Sequence, residues 1–575
     1  MEYPSTRKPH VRKDSKRSEE EATPLLGLSC QARYADQPVR WLQGLRRNFG
    51  DELLVMLFLT QHILKGFMFT FVGQADNYLY RAYKVPAPHA QIYGTVTFLP
   101  WAFKPVIGIM SDAMPIFGYK KAPYMIATSI LGALACLTIG FGVPRQGEHT
   151  LTINSLVTAI LLVNLQVSTC DLLSEAKYAE RVQENPAHGP DIVTFVWFGL
   201  QVGGLFAVAC SGTVLVAHGP SALYLLAAVP SMLVLLPIFN GYLQEVQMSQ
   251  AQIRHAWERF ESQKEMGVLA LIVLFGTALL AIFGMLYEDV YLNGAVAAVV
   301  VLITLLGFSV VLSPVIAKFN AFTLLQNSLS LSIRGAAFYF YTDTTAQYPE
   351  GPHFSPFFYN TVMGMCAAVC SLMGILLYRR YLCKWRYRNL LLATNTIFSL
   401  LCLMDVLMFS RINVRFGIPD YALMIGSTVF ETIVMQWSWM PSVAILAYLC
   451  PHGMEATMYA LLAGCANLGA SVSGNLGALL LATLGCSPSG AAHESMAFDK
   501  LWMAAAFTSA LSMVSILPLL GLVPDARQDE RLISETQADA TTGSLWRRWR
   551  GRETRNIRQA SSQAASSTSL ITDCS

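Results

Sequence analysis

The chain sets single charges inside stretches that are otherwise apolar: Lys65 in HILKGFMF, Lys104 in WAFKPVIG, Arg334 in LSIRGAAF and Glu431 in VFETIVM. A cation in such a setting can hold an anionic group, and arginine can grip a carboxylate with two parallel bonds. A lone carboxylate there is suited to carry a proton. Amides in the same kind of stretch, such as Gln61, Gln201 and Asn327, together with Gln166 and Asn467, can donate and accept hydrogen bonds to a flat polar ring. Phe67, Phe71, Trp197, Tyr339 and Trp437 could stack on one.

The elements that position these residues follow from composition. Of 575 residues, 54% are apolar and 13% are charged, where a soluble domain carries about 25% charged residues. The class is therefore all-α integral membrane protein. The twelve cysteines are scattered and show neither a CxxC pair nor a zinc-ligand spacing. Neither a disulfide framework nor a metal or other cofactor is expected, and nothing points to nucleic acid. The sequence contains no HExxH, no phosphate-binding glycine loop and no buried Ser/His/Asp set, which argues against an enzyme. A channel would want rings of like residues.

Residues 1–50 and 525–575 are polar and are expected to be irregular cytosolic tails. The first contains Glu21-Ala-Thr-Pro-Leu25-Leu26, which resembles an acidic dileucine sorting signal. The second contains the basic cluster Leu545–Arg558, which could touch anionic lipid. Between the tails we read about fourteen membrane spans, or twelve if the seventh and eighth do not both cross. Lys120, Lys121, Lys177, Arg181, Arg254, Arg259, Lys264, Lys318 and the basic run Arg379–Arg388 all fall on one side when the N-terminal tail is placed inside. Both termini are then cytosolic.

Two stretches repeat each other 266 residues apart: Tyr93, Thr95, Val96, Gly108, Ile109 and Lys120 match Tyr359, Thr361, Val362, Gly374, Ile375 and Arg386. Lys65-Gly66 in the first span matches Arg334-Gly335 in the ninth. The chain therefore divides into a six-helix half at 51–243, a cytosolic linker with an inserted helix pair at 244–318, and a second six-helix half at 319–524. Parallel six-helix repeats with a solute site between them are the plan of the major facilitator fold. Gly108-Ile-Met-Ser111-Asp112 followed by Lys120 and Lys121 resembles that superfamily's loop after the second span. Asp112 with the two lysines is expected to form an inner gate that pairs across the halves, with Arg386 at the related place.

The wording narrows this further. KPVIGIMSDAMPIFGYKKAPYM, DLLSEAKYAE (Asp171–Glu180) and YPEGPHFSPFFYNTV (Tyr348–Val362) resemble the folate-biopterin transporter family over roughly residues 50–525. The resemblance implies uptake of folate- or pterin-type organic anions, with proton symport. Folate carries two carboxylates, so Lys65, Arg334 and Lys104 are expected to contact substrate, helped by Gln61, Gln201 and Asn327. Glu431 is expected to carry the coupling proton. Asp171 and Glu175 match the family stretch and are read as gate residues at the inner end of the fourth span. Partners are thus the solute, protons and the bilayer, for a monomer. The default address is the plasma membrane, with an endolysosomal or vacuolar membrane as the alternative. The rival readings are a major facilitator for another solute, such as S-adenosylmethionine, a drug or a sugar, and a membrane receptor that does not transport.

Overall fold

The computed structural model describes residues 38–143, 150–185, 188–262, 264–449, 455–517, 519–528, 541 and 543–551. Helix fills nearly all of them, and among the described residues the only strand-like pairings are two isolated bridges. Among the described residues, eleven helices are long and apolar enough to cross a bilayer. Six precede residue 240: Asp51–Ala82, Ala87–Ala113, Ala122–Gly142, Ile153–Val182, Asp191–His218 and Pro220–Phe239. Lys264–Leu286 and Val290–Val311 are the inserted pair, and Phe357–Leu382, Tyr387–Phe409 and Met458–Leu484 belong to the second half. The other expected crossings are helical too. The ninth is split into Pro314–Leu329 and Arg334–Thr342, the twelfth is Asp420–Tyr448, and the last is Leu501–Val514 followed by Leu519–Leu522.

Small residues bring the helices together. A Cβ on Gly203 of the fifth span would lie 2.4 Å from the His62 carbonyl oxygen, and one on Gly66 would lie 2.8 Å from the Leu200 carbonyl oxygen. Only glycine lets the first and fifth spans approach this closely. The inserted pair is not peripheral. Leu269, Val273, Val300 and Phe308 share a buried apolar cluster with Leu99, Ala102 and Val106 of the second span and with Leu461, Leu468 and Val472 of the thirteenth. The pair therefore straddles the seam between the halves.

The tails depart from the sequence reading where the structure describes them. Residues 38–49, expected within an irregular tail, form the helix Pro38–Phe49, and Trp41 donates its indole N–H to Asp191 at 3.3 Å. At the other end, the Ala526 carbonyl accepts from Tyr387 N–H, and Gln528 donates to the Leu382 and Trp385 carbonyls. These bonds tie 525–528 to the loop after the tenth span. The dileucine-like stretch and residues 552–575 lie outside the described residues.

On the side that the sequence reading expects to be outer, the halves are bonded to one another. Arg81 donates to the carbonyl and hydroxyl of Thr342 at 3.2 Å each, and the Tyr339 hydroxyl donates to the Val85 carbonyl at 2.8 Å. Ala87 N–H donates to the Pro488 carbonyl at 2.9 Å, and the Thr361 hydroxyl donates to the Val208 carbonyl at 3.0 Å. Gln91 does most. Its amide N–H donates to the Ser332 and Gly474 carbonyls at 2.6 and 2.8 Å, and its amide oxygen accepts from Gly335 N–H at 3.1 Å. One side chain from the first half thus satisfies three backbone groups in the second.

A Cβ on Gly477 would stand 1.8 Å from the Ser332 carbonyl and 2.7 Å from the Gln91 amide nitrogen. Gly477→Ala is expected to push the ninth span away from Gln91 and to lower stability by about 1–3 kcal/mol, the usual cost of overpacking. Thermal unfolding of the detergent-purified protein checks this, with Gly426→Ala, where the space is open, as the neutral control.

Candidate functional site

Two of the single cations sit where a span breaks. Lys104 precedes Pro105, which has no N–H to give the Trp101 carbonyl four residues back and whose ring crowds it, so the helix breaks at Phe103. The second span accordingly stops at Ala102 and restarts at Lys104. The ninth span is unwound from Ser330 to Ile333 and restarts at Arg334. No proline or glycine causes this second break. It is held by partners: Ser473 donates its hydroxyl to the Ser330 carbonyl at 2.5 Å, and Gln91 holds Ser332 and Gly335. Each restarted helix presents the positive end of its dipole at the break, with its first N–H groups bonded locally: Val106 and Ile107 donate to the Phe103 carbonyl, Arg334 to the Ser332 hydroxyl and Gly335 to Gln91. Lys65 lies in a different irregularity, the π-helical stretch Phe58–Phe69 of the first span. Such widened turns recur at functional sites.

Lys65 and Lys104 meet at one carboxylate. Asp171 is fully buried, and its two oxygens accept from Lys65 Nζ at 2.7 Å and Lys104 Nζ at 2.5 Å. Glu175, one turn further along the fourth span, stands off at 3.7 Å from Lys65 and 3.9 Å from Lys104, with 31% of its side chain exposed. Indole rings wall the group. Lys104 Nζ lies 4.7 Å from the Trp101 ring centre, and Lys65 Nζ lies 5.8 Å from that of Trp197. Trp101 is fixed in turn by its N–H bond to Asn164 at 3.1 Å and by the Asn467 amide on its carbonyl at 3.0 Å. The second of these ties the site to the thirteenth span. Fully ionised, two lysines and two acids sum to zero charge.

The second half contributes a separate group. Arg334 is exposed although it sits mid-span. Glu431 in the twelfth span is partly buried, and its Oε1 is buried with no hydrogen-bond partner. Its charged neighbours are Asp405 of the eleventh span and Arg334. Nearby, Gln326 donates to Asn395 at 2.6 Å, and Trp437 donates to the Gly374 carbonyl at 3.1 Å.

The structure therefore assembles some of the expected residues and redirects others. Lys65 and Lys104 converge, but onto Asp171, which the sequence reading had placed with Glu175 in an inner gate. Gln61 does not line open space. It is fully buried and turns its amide toward the Asp171 carbonyl at 3.5 Å. Asn327 donates to its own helix at Thr323 and packs against Gly469. Gln201 is exposed one helical turn beyond Trp197, on the same face.

Of the expected gate residues, Lys120 faces Asp112 at 4.0 Å and Lys121 pairs with Glu180 at 2.6 Å. The Glu245 carboxylate accepts the backbone N–H groups of Lys120, Lys121 and Ala122 at 2.6, 2.9 and 3.0 Å. Arg386 pairs with Asp525 at 3.1 Å. None of these pairs joins one half to the other, where the sequence reading expected them to cross between halves: Glu245 lies in the linker and Asp525 in the C-terminal tail. The halves are instead bonded at the opposite end, through Arg81, Gln91 and Tyr339. Gln91 and Asp405 were missed by the sequence reading. Asp405 carried the same signal as Glu431, a single acid in an apolar run. Gln91 carried none that set it apart from other amides.

Just beyond the outer end of the ninth span, Asp343 is fully buried with both oxygens lacking hydrogen-bond partners, and Arg81 stands 3.8 Å away. Burial pushes its carboxyl up to about 7, with Glu494 adding to the rise and Arg81 opposing it.

A family model described as the BT1 family matches residues 62–542. A protein of Arabidopsis thaliana called probable folate-biopterin transporter 6 is 24% identical over 502 residues, covering 86% of this chain and 88% of that one. The folate-biopterin transporter of Synechocystis sp. is 26% identical, covering 74% and 72%. Folate transporter 1 of Plasmodium falciparum is 22% identical, covering 67% and 64%. Among solved structures, a POT family transporter in complex with 5-aminolevulinic acid superposes with a TM-score of 0.55 at 14% identity, covering 83% of this chain and 96% of that one. A D-xylose-proton symporter superposes with a TM-score of 0.50 at 11% identity, covering 82% and 96%. The fold is that of the major facilitator transporters, as the repeat and the inserted pair had led us to expect.

Two outcomes follow from the geometry. Removing Asp171 leaves two ammonium groups facing each other without their shared counter-ion. Asp171→Ala should therefore cost roughly 3–5 kcal/mol and lower the unfolding midpoint more than Lys65→Ala or Lys104→Ala does. Asp343 binds a proton more tightly folded than unfolded, so its contribution to stability falls as pH rises from about 4 to about 7 and then levels. Asp343→Asn should flatten that slope and raise stability at alkaline pH, as read from unfolding midpoints across pH.

Proposed function

The chain belongs to the BT1 family, a family of multi-pass membrane transporters and not of enzymes, and from that premise we propose that it carries folate- or pterin-type compounds by proton symport with alternating access. The observation that carries this reading is the presence, mid-membrane, of cations from both halves. Lys65 and Lys104 come from the first half and Arg334 from the second, with Lys104 and Arg334 at restarted helices. Half-helix starts in this position suit anionic solute groups. Folate offers two carboxylates and a flat ring, and Trp197 with Gln201 on one face offers stacking and hydrogen bonding. The names of the relatives support the same solute class.

Glu431 is the residue we assign to the coupling proton. It is mid-span, its Oε1 lacks a partner, and its neighbours Arg334 and Asp405 can sense its charge. A solute carboxylate that binds Arg334 would draw that cation from Glu431, which links the two events. The bonded outer side fits an inward-facing state. In the outward-facing state, Asp112, Lys120, Lys121 and Arg386 would exchange their partners for ones across the halves. We place the protein in the plasma membrane as a monomer with both termini cytosolic, as the basic inner loops support. The zero net charge of the Lys65–Lys104–Asp171–Glu175 group also suits a zwitterionic amino-acid moiety, and this makes S-adenosylmethionine the second solute to test.

The experiment is uptake of radiolabelled folate, biopterin and S-adenosylmethionine into cells that lack their own carriers, at acid and neutral pH, with and without a protonophore. Saturable folate or biopterin uptake that is larger at acid pH and abolished by the protonophore is expected. Arg334→Ala should weaken apparent folate affinity by at least about tenfold, in line with a charge-assisted bond of about 1.5–3 kcal/mol. Glu431→Gln should abolish accumulation against a gradient while leaving exchange. Normal concentrative uptake by Glu431→Gln would remove it as the proton carrier. Uptake of S-adenosylmethionine alone would replace the folate assignment.

A further inference from the structure

The two acids on the fourth span are not equivalent. Asp171 is fully buried and bonded to both lysines at 2.7 and 2.5 Å, so it is a fixed part of the wall. Glu175 reaches the same two ammonium groups only at 3.7 and 3.9 Å and keeps 31% of its side chain exposed. It is the most exposed of the four side chains, against 17% for Lys65, 13% for Lys104 and none for Asp171, and its two oxygens face one lysine each. That is where a carboxylate arriving from the open space would have to sit, making one contact to each lysine. Charge gives the same answer. With Glu175 ionised the group is neutral and offers an incoming anion nothing. With Glu175 displaced or protonated the group carries a net positive charge and attracts one.

We propose that Glu175 is a built-in stand-in for a solute carboxylate. It occupies the Lys65–Lys104 subsite when the subsite is empty, and the carboxylate of a folate-type glutamyl tail displaces it. The proposal rests on the folate-type reading given above and deepens it. It orients the solute, with the acidic tail at Lys65 and Lys104, beside Trp101 and Trp197. It also makes Glu175 a determinant of selectivity between carboxylate-bearing folates and uncharged pterins. The other ionisable groups that face Glu175 are Asp171, Lys65, Lys104, Tyr178 of its own helix and, through Lys65 and Tyr178, Tyr459 of the thirteenth span. Of these, the two lysines are the groups Glu175 shares with an incoming anion. A proton taken up by Glu175 therefore frees the subsite, and acid should favour binding of the tail.

The test is binding of 4-aminobenzoyl-L-glutamate and of biopterin to the purified full chain, by titration calorimetry across pH, for the wild type and Glu175→Gln. The variant keeps the shape of the side chain and removes its charge. The expected result is a severalfold gain in affinity for the glutamate compound, loss of the acid-favoured pH dependence of its binding, and unchanged affinity for biopterin. Should the variant not purify as a monodisperse protein, Glu175→Asp, which draws the charge back from the lysines, is expected to give a smaller gain with the same selectivity. Equal changes for both compounds, or a loss of affinity for the glutamate compound alone, would overturn the proposal while leaving the folate-type reading intact. If neither compound binds to a wild type that unfolds cooperatively, the folate-type reading falls and takes the proposal with it.

Discussion

The rest of the site depends on one buried carboxylate. Asp171 has no access to water, and in a medium of low dielectric constant an ion so placed must be matched by opposite charge. It is matched twice, by Lys65 from the first span and Lys104 from the second. This arrangement fixes three helices of the first half relative to one another. It also holds two long, flexible ammonium chains in place against Trp101 and Trp197. In the binding role proposed above, the cations would be oriented before any solute arrives, which lowers the ordering cost of binding.

A second constraint is that backbone leaving helical geometry inside a membrane must still be hydrogen-bonded. At Lys104 the chain meets this cheaply, because Pro105 has no N–H to satisfy. At Ser330–Ile333 it meets it with Gln91 and Ser473. Both breaks draw a bond from the thirteenth span, Asn467 to the Trp101 carbonyl and Ser473 to the Ser330 carbonyl, but only the first has a local cause in the sequence, Pro105.

That difference explains what could be read from the sequence. Span positions and the single charges follow from local composition, a signal carried by nearest neighbours along the chain, and the duplicated half from two stretches that repeat each other. The break after Ser330 is not local, and the reading ran straight through it. The fate of Gln61 was equally hidden, since an amide in an apolar helix can turn inward to another helix or outward to a cavity, and only packing decides. Asp171 was read as a gate residue, and that its partners are Lys65 and Lys104 from two other spans is set by packing that local sequence does not carry. Asp405 was legible by the same rule that found Glu431. The helix at Pro38–Phe49 was masked by its polar composition, for an interfacial helix needs only one apolar stripe.

The three bonds made by Gln91 have a bearing on timing. An amide that holds Ser332, Gly335 and Gly474 together cannot release them one by one without leaving unsatisfied groups in an apolar surround. Any parting of the outer faces must therefore break all three at nearly the same moment, or wait for water to enter the crevice and take them over. Such a latch has a threshold: small fluctuations are thrown back, and the outer door stays shut until a push large enough to wet it arrives. In the alternating-access cycle proposed above, the amide that keeps the ninth helix broken would also suppress leakage of solute through a half-open state.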